Sequence, residues 1–74
     1  MKKKMNKNEI ESGSKNILKG MYKGVLESKD QKVWRKANKE LRNRIAGMSE
    51  GSLKEMWEGA RKELLKLYAE KFDE

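Results

Sequence analysis

Basic side chains with helical spacing run through the middle of this sequence. They are Lys32, Arg35, Lys36, Lys39 and Arg42. At about 100° per residue, these positions lie opposite the apolar positions of the same segment, and only Glu40 opposes them nearby. Cations in a row on one helix can neutralise successive phosphates of a nucleic-acid backbone. The row is therefore a candidate phosphate-binding face, and a solvated lysine-rich surface is the alternative.

A second set of lysines recurs every four residues nearer the N-terminus. Its members are Lys15, Lys19 and Lys23. Residues 1–48 carry 14 Lys and Arg against 5 Asp and Glu, a balance of +9, whereas residues 49–74 carry 5 against 7, a balance of −2. Because both lysine sets fall in the positive part of the chain, we interpret the second set as supporting phosphate contacts.

Catalytic, metal-binding and cofactor-binding chemistry has little to build on in this composition. The 74 residues contain neither Cys nor His, which removes the usual nucleophiles and the commonest metal ligands. Glu55 and Glu58 are more simply interpreted as solubilising charges on an exposed helix face. We therefore predict no enzyme, no cofactor and no metal. No apolar run is long enough to span a bilayer, and a cytoplasmic protein is expected.

Three segments have helical periodicity, which predicts an all-α fold. The predicted helices cover about 14–27, 30–46 and 53–72. Their apolar positions include Leu18, Met21, Tyr22, Trp34, Leu41, Ile45, Leu53, Trp57, Leu64 and Tyr68. Short connections between the helices favour a small three-helix bundle or array, which a homodimer would complete. Both tryptophans are predicted to lie in its core.

The ends of the helices carry recognisable signals. Residues 1–11 are interpreted as a flexible basic tail, and residues 12–74 as one helical domain. Ser12 or Ser14 is a candidate cap for the first helix, although a start near Asn8 is the alternative. Ser28 with Gln31, and Ser52 with Glu55, have the spacing of capping boxes, and Gly47 is a plausible stop for the second helix.

Two eight-residue segments resemble each other. LKGMYKGV at 18–25 and LKEMWEGA at 53–60 share Leu, Lys, Met, an aromatic residue, Gly and a small apolar residue at the same offsets. A helical repeat would place the first and third helices equivalently about the second. The shared demands of an amphipathic helix explain the echo almost as well. Gly20 and Gly24, in or near the first copy, would either permit close helix approach or soften the segment.

Residues 47–66 resemble the helix-turn-helix of sigma factor region 4 and of related response-regulator DNA-binding domains. The matching residues are Met48, Ser49, Glu50, Gly51, Ser52, Leu53, Lys54, Ala60, Arg61, Lys62 and Leu64. The resemblance implies that the helix beginning at Ser52 enters the major groove of DNA. Arg42 and Asn43 stand where the family has an apolar residue and Ala, and Glu55 and Glu58 add negative charge. A capped amphipathic helix within the bundle is the alternative that we favour.

Two classes of function follow from these patterns. The first is a small basic regulator that binds the DNA or RNA backbone through its Lys/Arg helix face. The second is a protein-binding modulator of a larger partner, of the sort seen in phages and mobile elements, which docks on an acidic protein surface. Exposed parts of Tyr22, Leu26, Leu65 and Phe72 could form a homodimer seam. Membrane binding is not expected, since the apolar face of the second helix is modest.

Overall fold

The computed structural model describes residues 6–72, which form an all-α fold as predicted. The helices are α1 (Lys7–Met21), α2 (Lys23–Glu27), α3 (Gln31–Ala46) and α4 (Ser52–Phe72). Residues 6–72 contain no strand. None of the four helices combines the length and the apolar character that are needed to cross a lipid bilayer.

The first helix begins earlier than the predicted start at residue 14. Asn6 is its N-cap, and the Asn6 side chain accepts a hydrogen bond from the backbone N–H of Glu9 at 2.8 Å. The Glu9 carboxylate in turn accepts from the backbone N–H of Asn6 at 3.5 Å, which completes a capping box. Residues 1–5 of the predicted tail lie outside the described residues. The prediction that residues 7–11 belong to a flexible tail is wrong, because the capping box of Asn6 and Glu9 starts α1 at Lys7.

Replacing Asn6 with Ala should shorten α1. The substitution removes the acceptor for the Glu9 N–H, and loss of an N-cap of this kind typically costs about 1 kcal/mol. Backbone amides in the first turns of α1 should then exchange faster in hydrogen-exchange NMR, while α4 amides keep their protection. Asn8→Ala, at an exposed position inside the same turn, is the control. Equal exchange in both variants would contradict a capping role for Asn6.

The helix predicted over 14–27 is divided at Tyr22. This residue leaves the helical conformation (φ −118°, ψ 21°), yet its N–H donates to Leu18 O at 3.0 Å and its carbonyl accepts from Leu26 N at 2.9 Å. The side chain is buried, and burial raises the pKa of its phenol. Gly20 and Gly24 flank the break, and glycine is a poor helix former. The break therefore falls where helix propensity is low and where an aromatic ring enters the core.

The predicted ends of α3 are partly confirmed. Asp30, rather than Ser28, is the N-cap, and its carboxylate accepts from the backbone N–H of Lys32 at 2.9 Å. Ser28 Oγ instead accepts from Asp30 N at 3.1 Å, one step earlier in the turn. Gly47 terminates the helix as predicted, and its N–H donates to Arg44 O at 3.2 Å. Ser28 and Asp30 both have side chains that can cap a helix, but only the backbone path decides which of them occupies the cap.

The turn before α4 contains a glycine with a positive φ angle. Gly51 has φ +150°, a conformation that residues with side chains rarely adopt. Its carbonyl accepts from Glu55 N at 3.1 Å, so the chain enters α4 directly after it. Ser52 is the first residue of α4 rather than the N-cap of the predicted capping box.

The longest helix, α4, lies at the centre of the array. It contacts both α1 and α3, whereas the backbones of α1 and α3 make no close approach to each other within the described chain. Ser14 meets Met56 and Leu26 meets Lys71, so α1 and α2 run parallel to α4. The buried apolar residues are Leu18, Tyr22, Trp34, Ala37, Leu41, Trp57, Ala60 and Leu64. The prediction that both tryptophans lie in the core is confirmed.

Small residues allow α1 to approach α4 closely. A Cβ atom at Gly59 would overlap the Oγ of Ser14, and one at Gly13 would overlap the flexible side chain of Met56. Ser14 Oγ lies within hydrogen-bond distance of Met56 O (2.6 Å) and of Ile10 O (2.9 Å). Gly20 and Gly24, the glycines considered from the sequence, would meet nothing within 4 Å. The close approach therefore uses Gly13 and Gly59 instead.

The two copies of the internal echo occupy different environments. Leu18 in the first copy is buried, whereas Leu53 at the same offset is 61 % exposed. The first copy contains the break at Tyr22, and the second lies within the continuous helix α4. Equivalent packing of the two copies, which a repeat would require, is therefore absent.

Candidate nucleic-acid interface

The predicted basic row occupies the outward side of α3. Lys32, Lys36 and Lys39 are all exposed. They lie on the opposite side of the helix from Trp34 and Leu41, which are buried against the rest of the array. The helix is rigidly attached through this buried side, so the lysines project from a fixed backbone.

The two arginines of the row flank these lysines on the side nearer to α4. Arg42 and Arg35 are exposed, and Arg35 Nε donates to the hydroxyl of Tyr68 at 3.2 Å. This bond orients the guanidinium of Arg35 along the seam between α3 and α4. In general, a planar guanidinium is suited to bidentate contacts with phosphate, whereas a lysine acts as a mobile point charge.

The cations Lys32, Lys36, Lys39 and Arg42 of the outward face form no ion pair in the described chain, although Glu40 is exposed nearby. Within residues 6–72, the side chains of Lys32, Lys36, Lys39 and Arg42 make no hydrogen bond or ion pair with another residue. Like charges spaced three or four residues apart on a helix repel one another, which disfavours the helix slightly. The positive potential of this face is thus available to an external anion.

Asn43 belongs to the same face, although the sequence analysis did not include it. It is exposed and follows Lys39 by four residues and Lys36 by seven, so it shares their side of the helix. Amide side chains donate to phosphate oxygens in many nucleic-acid complexes. Helical spacing alone places Asn43 on the same side as the lysines, but Asn43 is uncharged and was not among the predicted basic residues.

The second predicted row is divided by the break in the helix. Lys15 and Lys19 are exposed on α1, whereas Lys23 is exposed at the start of α2, beyond Tyr22. Because α1 and α3 do not approach each other in the described chain, Lys15 and Lys19 are not brought against the α3 row. The structure therefore provides two basic surfaces on different helices rather than one merged patch.

Charges on the exposed side of α4 are mixed. The exposed charged residues of α4 are Glu55, Glu58, Lys62, Lys66, Glu70 and Lys71. Alternating signs on a helix surface largely cancel at the distance of a bound phosphate. Among the long helices, α3 therefore presents the stronger positive face.

The beginning of α4, which the family resemblance would place in the DNA groove, has a different character. Its first cation, Lys54, forms an ion pair with Glu50 at 2.8 Å. That hydrogen bond lowers the pKa of Glu50 and raises the pKa of Lys54. The cation is thus already paired with a carboxylate of the preceding turn.

The relation of α3 to α4 also differs from that of a helix-turn-helix. In that motif the two helices cross at about 90–120°. Here Arg44 lies over the ring of Trp57 (5.0 Å to its centroid), and Arg61 Nε donates to Asn38 Oδ1 at 2.9 Å. These pairs, together with the bond from Arg35 to Tyr68, follow opposite directions along α3 and α4. The two helices therefore lie side by side as an antiparallel hairpin over most of their length.

No constellation suited to metal chemistry accompanies the basic face. Within the described part of the chain, Asp and Glu do not gather into a group of three or more that could hold a metal ion.

Comparison of the chain with protein-family models, with curated proteins and with solved structures finds no match.

Proposed function

We propose that this protein binds the sugar-phosphate backbone of double-stranded nucleic acid through the outward face of α3. The observation that carries the proposal is that the exposed side chains of Lys32, Lys36, Lys39 and Arg42 make no ion pair with an acidic residue in the described chain. The residues assigned to phosphate contacts are Lys32, Lys36, Lys39 and Arg42, with Arg35 oriented beside them by Tyr68. Lys15, Lys19 and Lys23 contribute to attraction at longer range.

The length of the row suits several phosphates. From Lys32 to Arg42 the helix advances about 15 Å, and successive phosphates of one strand are spaced about 3.4 Å along a duplex axis. A straight helix of this length can contact a few phosphates of one strand, or can bridge two strands across a groove. Contacts of this type set affinity and carry little sequence information.

The positions of the aromatic residues favour a duplex over a single strand. Proteins that hold single strands without sequence preference stack the bases on exposed aromatic rings. Here Tyr22, Trp34 and Trp57 are buried, and Tyr68 and Phe72 are partly buried. Trp34, Tyr68 and Phe72 pack against one another, with ring centroids 5.1 to 6.3 Å apart. None of these five rings is fully exposed to stack on a base, so the proposed binding rests on the phosphates.

Salt dependence and charge reversal together test the proposal. Binding of mixed-sequence duplex DNA and duplex RNA, followed by fluorescence anisotropy, should weaken by about 10- to 100-fold between about 50 and 200 mM salt. The variant Lys32→Glu/Lys36→Glu should lose at least about tenfold in affinity at the lower salt concentration, since it places two repulsive charges on the face.

A matched control separates this face from the net charge. Lys62→Glu/Lys66→Glu reverses two exposed lysines with the same four-residue spacing on α4, so both variants lower the net charge of +7 by the same amount. The control should retain binding within about threefold. Equal losses in the two variants, salt-insensitive binding, or no binding at about 50 mM salt would each overturn the proposal.

A further inference from the structure

A second surface lies in the seam between α3 and α4, on the flank of α4 away from α1. One hollow of about 40 Å³ is lined by residues of both helices: Trp34, Arg35, Asn38, Leu64, Leu65 and Tyr68. A second hollow of about 150 Å³ is lined by Ile45, Glu58, Arg61, Lys62 and Leu65. Leu65 borders both hollows, and the hydrogen bond from Arg61 to Asn38 spans the seam between them. Together they form one shallow groove, which we name the α3–α4 groove.

The floor of this groove is apolar. Leu65 is 40 % exposed, although the helix places its neighbour Leu64 in the core. Ile45 is half-buried on the facing side of α3. A large aliphatic side chain beside two hollows is a typical anchor point for an apolar side chain of a partner. An apolar surface forms no favourable electrostatic contact with a phosphate. The groove therefore differs in chemistry from the outward face of α3.

The rim of the groove is positively charged. Arg35, Arg61 and Lys62 border the hollows, and Glu58 is the one acidic residue among their lining side chains. The Nε groups of Arg35 and Arg61 are engaged by Tyr68 and Asn38, which holds both guanidinium groups beside the groove. Fixed guanidinium groups beside an apolar floor are complementary to a surface that alternates carboxylates and aliphatic side chains.

We propose that the α3–α4 groove binds an acidic amphipathic helix of another protein. The two antiparallel helices leave room for a third helix in their seam, as in helix-in-groove recognition. An apolar residue of that helix would contact Leu65 between the two hollows, and its Glu or Asp residues would meet Arg61 and Lys62. This surface does not depend on nucleic-acid binding by α3.

The charge distribution also argues against a second copy as the occupant. Each copy carries a net charge of +7, and a copy seated in the groove would bring more positive charge to a cationic rim. The seam considered for a homodimer is also not a continuous exposed surface. Tyr22 is buried, and Leu26 and Phe72 are partly buried, which leaves Leu65 as its exposed member.

A pair of designed peptides tests the groove on the full chain. The probe is a fluorescein-labelled helical peptide of about 14 residues, with Leu at helical spacing and Glu on both flanks. Its twin carries Lys in place of every Glu. We expect saturable binding of the Glu peptide, weaker binding of the Lys peptide by about tenfold or more, and NMR shifts centred on Leu65, Ile45 and the Asn38 amide.

Variants with matched positions on α4 decide whether binding uses the groove. Leu65→Asp should weaken binding of the Glu peptide by about tenfold or more, whereas Leu53→Asp, at a 61 % exposed leucine outside the groove, should leave that affinity unchanged. Lys62→Glu should weaken binding of the Glu peptide and leave binding of the duplex unchanged. Lys32→Glu/Lys36→Glu should weaken binding of the duplex and leave binding of the Glu peptide unchanged. Circular dichroism melting should confirm that each variant is folded.

Several results would overturn the groove proposal without affecting the nucleic-acid proposal. These are equal binding of the two peptides, binding that Leu65→Asp leaves intact, and no binding of the Glu peptide at millimolar protein. A dimer in sedimentation that Leu65→Asp dissociates would assign the groove to a second copy instead.

Discussion

Leu41→Ala should unfold a large fraction of this protein at moderate temperature. Leu41 is 0 % exposed and belongs to the core where α3 faces α4. Removing three carbons from such a site costs about 2–5 kcal/mol, because the neighbours collapse only partly into the cavity. A domain of this length has a total unfolding free energy of about 4–11 kcal/mol. The substitution therefore removes a substantial share of the stability.

Urea denaturation followed by tryptophan fluorescence measures this loss directly, since both tryptophans are buried. The control is Leu53→Ala, which makes the same chemical change at a leucine that is 61 % exposed. The control should change the unfolding free energy by less than about 0.5 kcal/mol. If the urea midpoint of Leu41→Ala equalled that of Leu53→Ala, Leu41 would not be a core residue.

Gly59→Ala should destabilise the protein even though alanine is the better helix former. The new methyl group would occupy the position of Ser14 Oγ, in the closest part of the contact between α1 and α4. Ser14 is short and is held by its contacts with the carbonyls of Met56 and Ile10, so it cannot swing aside as a long side chain would. Overpacking of this kind costs about 1–3 kcal/mol, which exceeds the gain of about 1 kcal/mol from helix propensity.

Two comparisons make this prediction specific to the helix crossing. Gly20→Ala adds the same methyl group at a helical glycine with nothing within 4 Å, and it should stabilise the fold by about 0.5–1 kcal/mol. Ser14→Ala removes the atom that the new methyl group meets. The double variant Ser14→Ala/Gly59→Ala should therefore be more stable than the sum of the single changes predicts. Additive losses would place the cost of Gly59→Ala elsewhere.

Local patterns were sufficient for much of the fold and of the candidate interface. The apolar periodicity located α3 and α4 to within a residue or two, and the glycine at 47 marked the end of α3. The same periodicity predicted that the α3 lysines would be exposed, since positions opposite a buried stripe face the solvent. These features depend on residues at most a few turns apart, and a helix repeats the same geometry in any tertiary context.

Features that depend on which helices contact each other could not be predicted from local sequence patterns. Four glycines lie within the helices, and only the register of α1 against α4 selects Gly13 and Gly59 for close contact while Gly20 and Gly24 stay open. The bond from Arg35 to Tyr68 likewise requires partners distant in sequence. The sequence by itself therefore determined the helices, their buried sides and the sign of their surfaces, because each follows from local periodicity. The tertiary structure alone decided the groove and the helix crossing, because both arise from contacts between residues of different helices, such as Arg61 with Asn38 and Ser14 with Met56.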